Sequence, residues 1–476
     1  MSLDTTSPTA RKGGWGVLVL LCLAQFMLIV DITVVQVALP TIGTDLALDR
    51  ESLTWVVTTY TLCFGGLMVL GGRLADATGA RGVLLAGLGL FTAASLVCGL
   101  SGSGVMLITG RALQGVGAAL LSPAALSVIT ATFHGERRGR ALGVWAAIGG
   151  TGAALGVLLG GLLTEGPGWT WIFFVNVPIG LLVLVAVPAV LRGAAHPGPS
   201  GRGERVDVPG ALVVTLATAL LIYGLVTAGD AGWTAAGTLL PLAGAVLLYA
   251  LFVVVERSVR SPLMRAGTLA RRPVISGMFV MLIATGLMLG LFFLSSLYLQ
   301  HVLGFGALET GLFFLPVAVA ITAGAQLGGH LIGKVGGRPV AVASFVMTAA
   351  GAALMTRISP DASVYATLLP GFVLAALGIG PAFVTATTTT MANIPPGENG
   401  VASGVINTFH ELGGSIGVAV VSTMAAASLA PGSAAGAGGF VSGFTLCAVV
   451  AGVAGVVALW LVPPGKPAAA FVGHGH

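Results

Sequence analysis

The chain has 476 residues, of which 56% are hydrophobic and only 8% charged, with a net charge of +5 at neutral pH. Soluble domains carry about 25% charged residues, and a single water-facing core stops growing near ~250 to 300 residues. This composition therefore excludes a water-soluble globule, places the chain in a lipid bilayer, and leaves nucleic acid no concentrated basic patch to bind.

The first apolar run, Gly14 to Leu39 closed by Pro40, is about 26 residues long, against ~7 to 15 for the core of a cleaved signal peptide. It is expected to stay as the first membrane helix. Runs of roughly 20 apolar residues between charged or Pro/Gly-rich breaks continue the count. They place spans at 14–39, 53–72, 83–101, 104–128, 141–164, 169–192, 208–228, 233–254, 273–297, 307–332, 338–357, 363–389, 400–427 and 440–463. The expected fold is an all-α polytopic membrane protein with about fourteen transmembrane helices.

Loop charge gives an independent check, because cytoplasmic loops concentrate Lys and Arg. With the N-terminus inside, the inner segments hold Arg11 and Lys12, Arg73 and Arg81, Arg137, Arg138 and Arg140, then Arg192, Arg202 and Arg205. They go on to hold Arg257, Arg260, Arg265, Arg271 and Arg272, then Lys334 and Arg338, and finally Lys466. The outer loops hold only Arg50 and Arg357, among Asp45, Asp49, Glu51, Glu165, Asp230, Glu309 and Asp361. An even number of spans follows, in a cell (inner) membrane, with both termini cytoplasmic. Trp15, Trp145, Trp169, Trp171, Trp233 and Trp460 fall near predicted span ends, where interfacial indoles belong.

An internal repeat organises the chain. Gly72-Arg73-Leu74-Ala75-Asp76-Ala77-Thr78-Gly79-Ala80-Arg81 after span 2 is echoed after span 10 by Gly329-His330-Leu331-Ile332-Gly333-Lys334-Val335-Gly336-Gly337-Arg338, with Gly, Leu, Gly and Arg in register. A fainter echo links Gly110 to Gly117 in span 4 with Gly371 to Gly378 in span 12. The reading is an N-terminal six-helix bundle (1–192), linkers with two inserted helices (193–272), a C-terminal six-helix bundle (273–463) and a cytoplasmic tail (464–476). Duplicated bundles are the architecture of a carrier, whose substrate sits between halves that rock.

Several motifs, in order and correctly spaced, carry a resemblance to a known family. They are Asp31 to Pro40 (DITVVQVALP), the Gly72 to Arg81 loop, Arg111 to Gly117 (RALQGVG), Trp171 to Gly180 (WIFFVNVPIG), Tyr298-Leu299-Gln300, Ala402-Ser403-Gly404 and Gly413 to Gly417 (GGSIG). Along nearly its whole length the chain resembles the fourteen-helix drug/proton antiporter branch of the major facilitator superfamily. The resemblance implies a secondary-active exporter of lipophilic drugs or natural products driven by proton antiport. It also implies proton coupling at Asp31 and Arg111, and a gate latch in the loop of Gly72, Arg73, Asp76, Gly79 and Arg81 that stabilises the outward-facing state.

The residues support a chemistry of their own. An ionisable group at a helix centre costs at least ~2.5 to 3.5 kcal/mol in a bilayer and is rarely present without a role. Asp31 lies about eight residues, ~12 Å, from the outer end of its span, and Arg111 about seven, ~10 Å, from the outer end of its own. At equal depth the two can pair, either as a proton-sensitive switch or as a static pair that fixes packing. Glu411, near mid-membrane in span 13 where the family usually has glutamine, is either a substrate- or proton-binding carboxyl or a neutral acid bonding between helices. Adjacent His410 is expected to be a packing residue.

Span 5 carries Gly152, Gly156, Gly160 and Gly161, small residues that let helices approach closely. The family's antiporters place a proline after the central glycine, where this chain has Val157. Gln25, Trp55, Tyr60, Gln114 and Asn407 are candidates for a pathway taking a small lipophilic, possibly cationic substrate; Phe292, Phe293, Phe313 and Phe314 are better read as core or lipid-facing. Cys22, Cys63, Cys98 and Cys447 lie in apolar runs without paired spacing, so neither a disulfide framework nor a metal site is expected. The chain lacks a His-Glu-x-x-His helix and a Gly-x-x-x-x-Gly-Lys-Ser/Thr loop, and its one Gly-x-Ser-x-Gly, Gly413 to Gly417, lies within span 13 and not at a strand-to-helix turn, which argues against an intramembrane enzyme, a cofactor or ATP drive. A proton-coupled importer is the alternative; partners are lipid, protons and cargo, and the chain is expected to act as a monomer.

Overall fold

The computed structural model describes residues 8–48, 50–133, 136–191, 208–258, 266–359, 363–392, 394, 398–429 and 437–465. Asp49, Arg192, Arg202, Arg205, Arg260, Arg265, Asp361, Lys466 and nearly all of the predicted tail lie outside the described residues. Among the described residues there is no strand, and fourteen helices have sixteen residues or more. They are α1 (Pro8–Asp45), α2 (Arg50–Thr78), α3 (Ala80–Gly99), α4 (Gly104–Thr132), α5 (Glu136–Glu165), α6 (Asn176–Leu191) and α7 (Val208–Ala231). The chain continues with α8 (Ala236–Ser258), α9 (Arg272–Leu297), α10 (Ala307–Val335), α11 (Gly337–Met355), α12 (Val364–Met391), α13 (Asn399–Leu429) and α14 (Gly438–Leu461).

Eleven of these are long and apolar enough by composition to cross a membrane. Of the other three, α5 and α7 have the apolar stretches Leu155–Glu165 and Leu212–Ala228 among their described residues, and α13 carries Asn407, His410 and Glu411. Large apolar side chains stand exposed along the outer faces, as in α8 with Leu240, Val246, Leu247 and Val254. A surface of this kind is stable only against lipid.

Two predicted spans differ in detail. The helix predicted to close at Pro40 runs through it to Asp45, because a proline removes one backbone hydrogen bond and kinks a membrane helix without having to end it. The span predicted at 169–192 is broken: a one-turn helix at Trp171–Phe174 precedes α6. Pro178 has no N–H to give and suits the first turn of a new helix, so the chain restarts at Asn176.

Helices α1 to α6 pack among themselves and α9 to α14 do the same, each half through matched crossings. At the reversal from α2 to α3, Gly79 has φ 102°, and at the corresponding reversal from α10 to α11, Gly336 has φ 89°. Only glycine takes that conformation without strain. The halves meet along two seams, α2 with α13 and α5 with α10. Inserted α7 packs over α2 and α13, and α8 packs chiefly against α7.

The alternation of helices gathers Arg73, Arg81, Arg138, Arg140, Arg271, Arg272, Lys334 and Arg338 at one end of the molecule, called here the basic end. There Arg272 donates from Nε to the Leu461 carbonyl at 3.1 Å and through Nη2 to the Trp460 carbonyl, and Arg338 Nε donates to Val462 at 2.7 Å. Cations thus satisfy the orphan carbonyls at the end of α14, where the helix dipole is negative.

Candidate functional site

The deepest polar cluster lies inside the N-terminal half. Asp31 on α1 and Arg111 on α4 are each 1% exposed, and Arg111 Nη1 donates to Asp31 Oδ2 at 2.5 Å. Oδ1 accepts from Gln114 Nε2 at 3.1 Å and from Asn176 Nδ2 at 2.8 Å. Arg111 is held further by Nη1 to Gln114 Oε1 at 2.9 Å and by Nε to the Val56 carbonyl at 3.1 Å. Its Cζ stands 4.2 Å over the Tyr60 ring. Gln114 Nε2 also donates to Ser95 Oγ at 2.8 Å, and Cys98 Sγ lies 3.4 Å from Gln114 Oε1.

Five helices therefore contribute to one closed network. Stripped of its partner, a charge at this depth would cost several kcal/mol; paired and hydrogen-bonded, both charges are tolerated. Neutralising either partner would leave the other charge among neutral groups only.

The glycine ladder of α5 is what lets α1 seat Asp31. A Cβ on Gly152 would stand 2.9 Å from Ile29 Cγ2, one on Gly156 would be 3.3 Å from the Val30 carbonyl and would collide with Thr33, and one on Gly160 would be 3.2 Å from Val34 Cα. Gly161 is buried on the same helix. Val157, where the family's proline would stand, is partly exposed and leaves the helix unbroken.

Between the halves lies a cavity of ≈ 140 Å³ lined by α1, α2, α4 and α5 on one side and α9, α12 and α13 on the other. Its wall is mostly apolar and rich in methionine (Met68, Met281, Met288), with Phe64 and Phe383 beside them. Its polar groups are Gln25, Thr33, Ser122, Thr387, Asn407, His410 and Glu411. Asn407 Nδ2 reaches Ser122 Oγ at 3.4 Å across the halves. His410 also lines this cavity and was not foreseen there. Its Nδ1 lies 3.3 Å from Glu411 Oε1 because their long side chains converge although their Cα–Cβ bonds diverge.

Other expected pathway residues lie elsewhere. Gln114 and Tyr60 belong to the Asp31 cluster, and Trp55 stacks on Tyr223 of α7 with centroids 6.0 Å apart. Trp145, expected at the interface, is 8% exposed and lines the cavity. Phe292, Phe313 and Phe314 form an aromatic core with Phe372. Asn176, which in the sequence stands only as part of the Trp171 to Gly180 motif, belongs to the cluster; an amide inside an apolar span is the signal for it, since burying it requires a partner.

At the basic end, Asp76 bridges the halves. Oδ1 accepts from the Gly400 N–H at 2.7 Å and Oδ2 from the Val401 N–H at 2.8 Å, in the first turn of α13. Acceptors are wanted at a helix N-terminus, and a carboxylate also meets the positive end of the dipole. Gly72 makes this approach possible, for a Cβ there would overlap the Gly400 carbonyl. Arg73 is buried beside Asp76, while Arg81 sits half-buried in the first turn of α3.

The chain matches the family model described as Major Facilitator Superfamily over residues 21–418. It is 40% identical to the puromycin resistance protein pur8 of Streptomyces alboniger over 87% of this chain and 82% of that protein. It is also 40% identical to the cephamycin export protein CmcT of Amycolatopsis lactamdurans, over 86% of this chain and 84% of that protein. The proton:xylose symporter XylE superposes with a TM-score of 0.68 at 15% identity, covering 97% of this chain and 98% of that one, a likeness of fold. The chain is a multi-pass membrane transport protein, not an enzyme, and it belongs to the major facilitator superfamily, within its branch of antibiotic-resistance exporters.

Proposed function

We propose that this protein exports antibiotic-type lipophilic compounds across the cell membrane in exchange for protons, with Asp31 as the proton carrier and Arg111 as its electrostatic partner. The observation that carries the reading is the buried Asp31–Arg111 pair, closed by Gln114 and Asn176. It supplies a proton-sensitive charge within the helices that also wall the central cavity. Relatives named for puromycin resistance and cephamycin export make those compounds the first cargoes to test.

In this reading helices α1 to α6 and α9 to α14 rock as units about the cavity, and the basic end faces the cytoplasm by the positive-inside rule. The Asp76 contact with α13 then latches the cytoplasmic side while the outer side opens. Glu411, with His410 against it, gives the cavity an acidic spot suited to a cationic cargo. The protein is proposed to work as a monomer.

The test is efflux of a fluorescent lipophilic cation and of puromycin from cells producing wild type, Asp31→Asn or Glu411→Gln, with and without a protonophore. Wild-type efflux should collapse with the protonophore and in Asp31→Asn at equal protein level. Glu411→Gln should slow the cations a few fold and spare a neutral cargo. Efflux untouched by both the protonophore and Asp31→Asn would refute proton antiport.

A further inference from the structure

Tyr60 occupies a position that the exporter reading leaves without a task. On α2, the residues Tyr60, Phe64 and Met68 form a stripe at four-residue spacing, on one helix face, and are 1%, 4% and 2% exposed. Phe64 and Met68 line the cavity, whereas Tyr60, one turn further along, does not. One contact of the Tyr60 ring is with Arg111, whose Cζ lies 4.2 Å from its centroid, and another is with Phe64 at 5.6 Å. The ring therefore touches both the guanidinium of the ion pair and Phe64, a residue of the cavity wall.

Two further observations bear on how it is held. The backbone is fixed, because Gly115 of α4 crosses at the Tyr60 carbonyl so closely that a Cβ there would be 2.6 Å from it. The hydroxyl is buried and has no hydrogen-bond partner among the described residues. A buried phenol ordinarily finds one. The ring is thus seated by packing and by the cation above it, with no hydrogen bond pinning its far end. The charged groups around it are Asp31 and Arg111 in the cluster and Glu411 in the cavity wall.

We propose that Tyr60 is the partition between the proton site and the substrate cavity: its ring seats Arg111 against Asp31 and bars water and protons in the cavity from reaching the pair until the ring turns. The proposal rests on Asp31 as the proton carrier. Tyr60 acts as a positioning residue, and its aromatic face is the working part. An aromatic face attracts a guanidinium most strongly where water is excluded, so Arg111 keeps its seat even when Asp31 is neutral. A leucine or methionine would fill much of the space without offering that face.

The leak measurement needs no cargo, and exchange of protons for cargo by wild type is read separately. Wild type, Tyr60→Leu, Tyr60→Met, Tyr60→Phe and the double variant Tyr60→Leu/Asp31→Asn are placed in vesicles with a pH dye inside and an acidic exterior. Tyr60→Leu and Tyr60→Met should admit protons roughly fivefold faster than wild type. Tyr60→Phe should remain within twofold of wild type, and the double variant should be tight. Tight Leu and Met variants that remain monodisperse would overturn the partition, as would a leak that persists in the double variant. If wild type exchanges no protons for cargo but Tyr60→Leu still leaks through Asp31, the antiport reading falls and the partition stands.

Discussion

The two halves of this protein use the same crossings to bury opposite chemistries. In the N-terminal half Gly156 of α5 meets the Val30 carbonyl of α1; in the C-terminal half Gly417 of α13 meets the Gly286 carbonyl of α9. One residue further along, Asp31 corresponds to Leu287. The Gly110–Gly117 and Gly371–Gly378 registers likewise set Arg111 against Phe372. An ion pair held by two amides in one half is replaced in the other by Leu287 and an aromatic cluster, with Phe372 centroids 4.9 Å from Phe292 and 5.9 Å from Phe314. The apolar half shows that these crossings need no charge to pack. Stability alone therefore does not explain the pair, since apolar residues of similar volume commonly pack as well or better.

The seams differ in the same way. Gly72 meets Gly400 across α2 and α13, and Gly329 meets Gly139 across α10 and α5. Yet the carboxylate of Asp76 that caps α13 has Gly333 in its place on α10, with open space around it. One seam carries a carboxylate that caps α13; at the other the backbones pack closely and the nearest charged contact is Arg138 of α5, which donates from Nη2 to the Met391 carbonyl of α12 at 2.9 Å.

The largest effect should come from splitting the ion pair. Arg111→Leu strands a buried carboxylate and should destabilise the protein by about 3–5 kcal/mol, seen as loss of folded protein in detergent-based thermal unfolding. Asp31→Asn/Arg111→Leu should recover most of that stability while remaining inactive in efflux. If the double variant is no more stable than Arg111→Leu, the cost does not arise from a stranded charge.

A middle-sized effect is expected at the latch. Asp76→Asn keeps the shape but removes the charge facing the α13 N-terminus and sets an NH2 donor against one of the two backbone N–H groups, together worth about 2 kcal/mol, or about a thirtyfold shift between open and closed seams. Spin-label distances between the basic ends of α2 and α13 should broaden accordingly. Gly333→Asp, at the equivalent place on α10, should leave the distribution across α5 and α10 within about 0.5 kcal/mol of wild type, as an unconstrained surface change does.

The smallest effect belongs to the apolar counterpart of the pair. Phe372→Leu should cost about 1 kcal/mol through lost ring contacts, lowering the unfolding temperature by a few degrees with efflux per folded molecule unchanged. A proton-coupling defect in Phe372→Leu would mean that the C-terminal half takes part in the chemistry.

Much of this was legible in the sequence, and for physical reasons. Constant helical rise puts Asp31 and Arg111 at one depth, and glycine's tolerance of positive φ marks the reversals at Gly79 and Gly336. What sequence could not supply is direction around the helix. Gln114, three residues from Arg111, turns back onto Asp31 instead of into the cavity, and Trp145 turns inward from a place near a span end. Asn176 reaches Asp31 from the first residue of α6, a direction that hydropathy does not register. His410 joins Glu411 because both side chains are long enough to converge, which Cα–Cβ directions alone do not reveal.

The most direct test of the central claim is proton release when cargo binds. Purified protein in weakly buffered detergent solution is mixed with a compound that wild type exports, and the pH is followed. If Asp31 must give up its proton for cargo to bind, wild type releases protons and Asp31→Asn binds without release. Equal release from both proteins would contradict the assignment of proton coupling to the Asp31–Arg111 cluster.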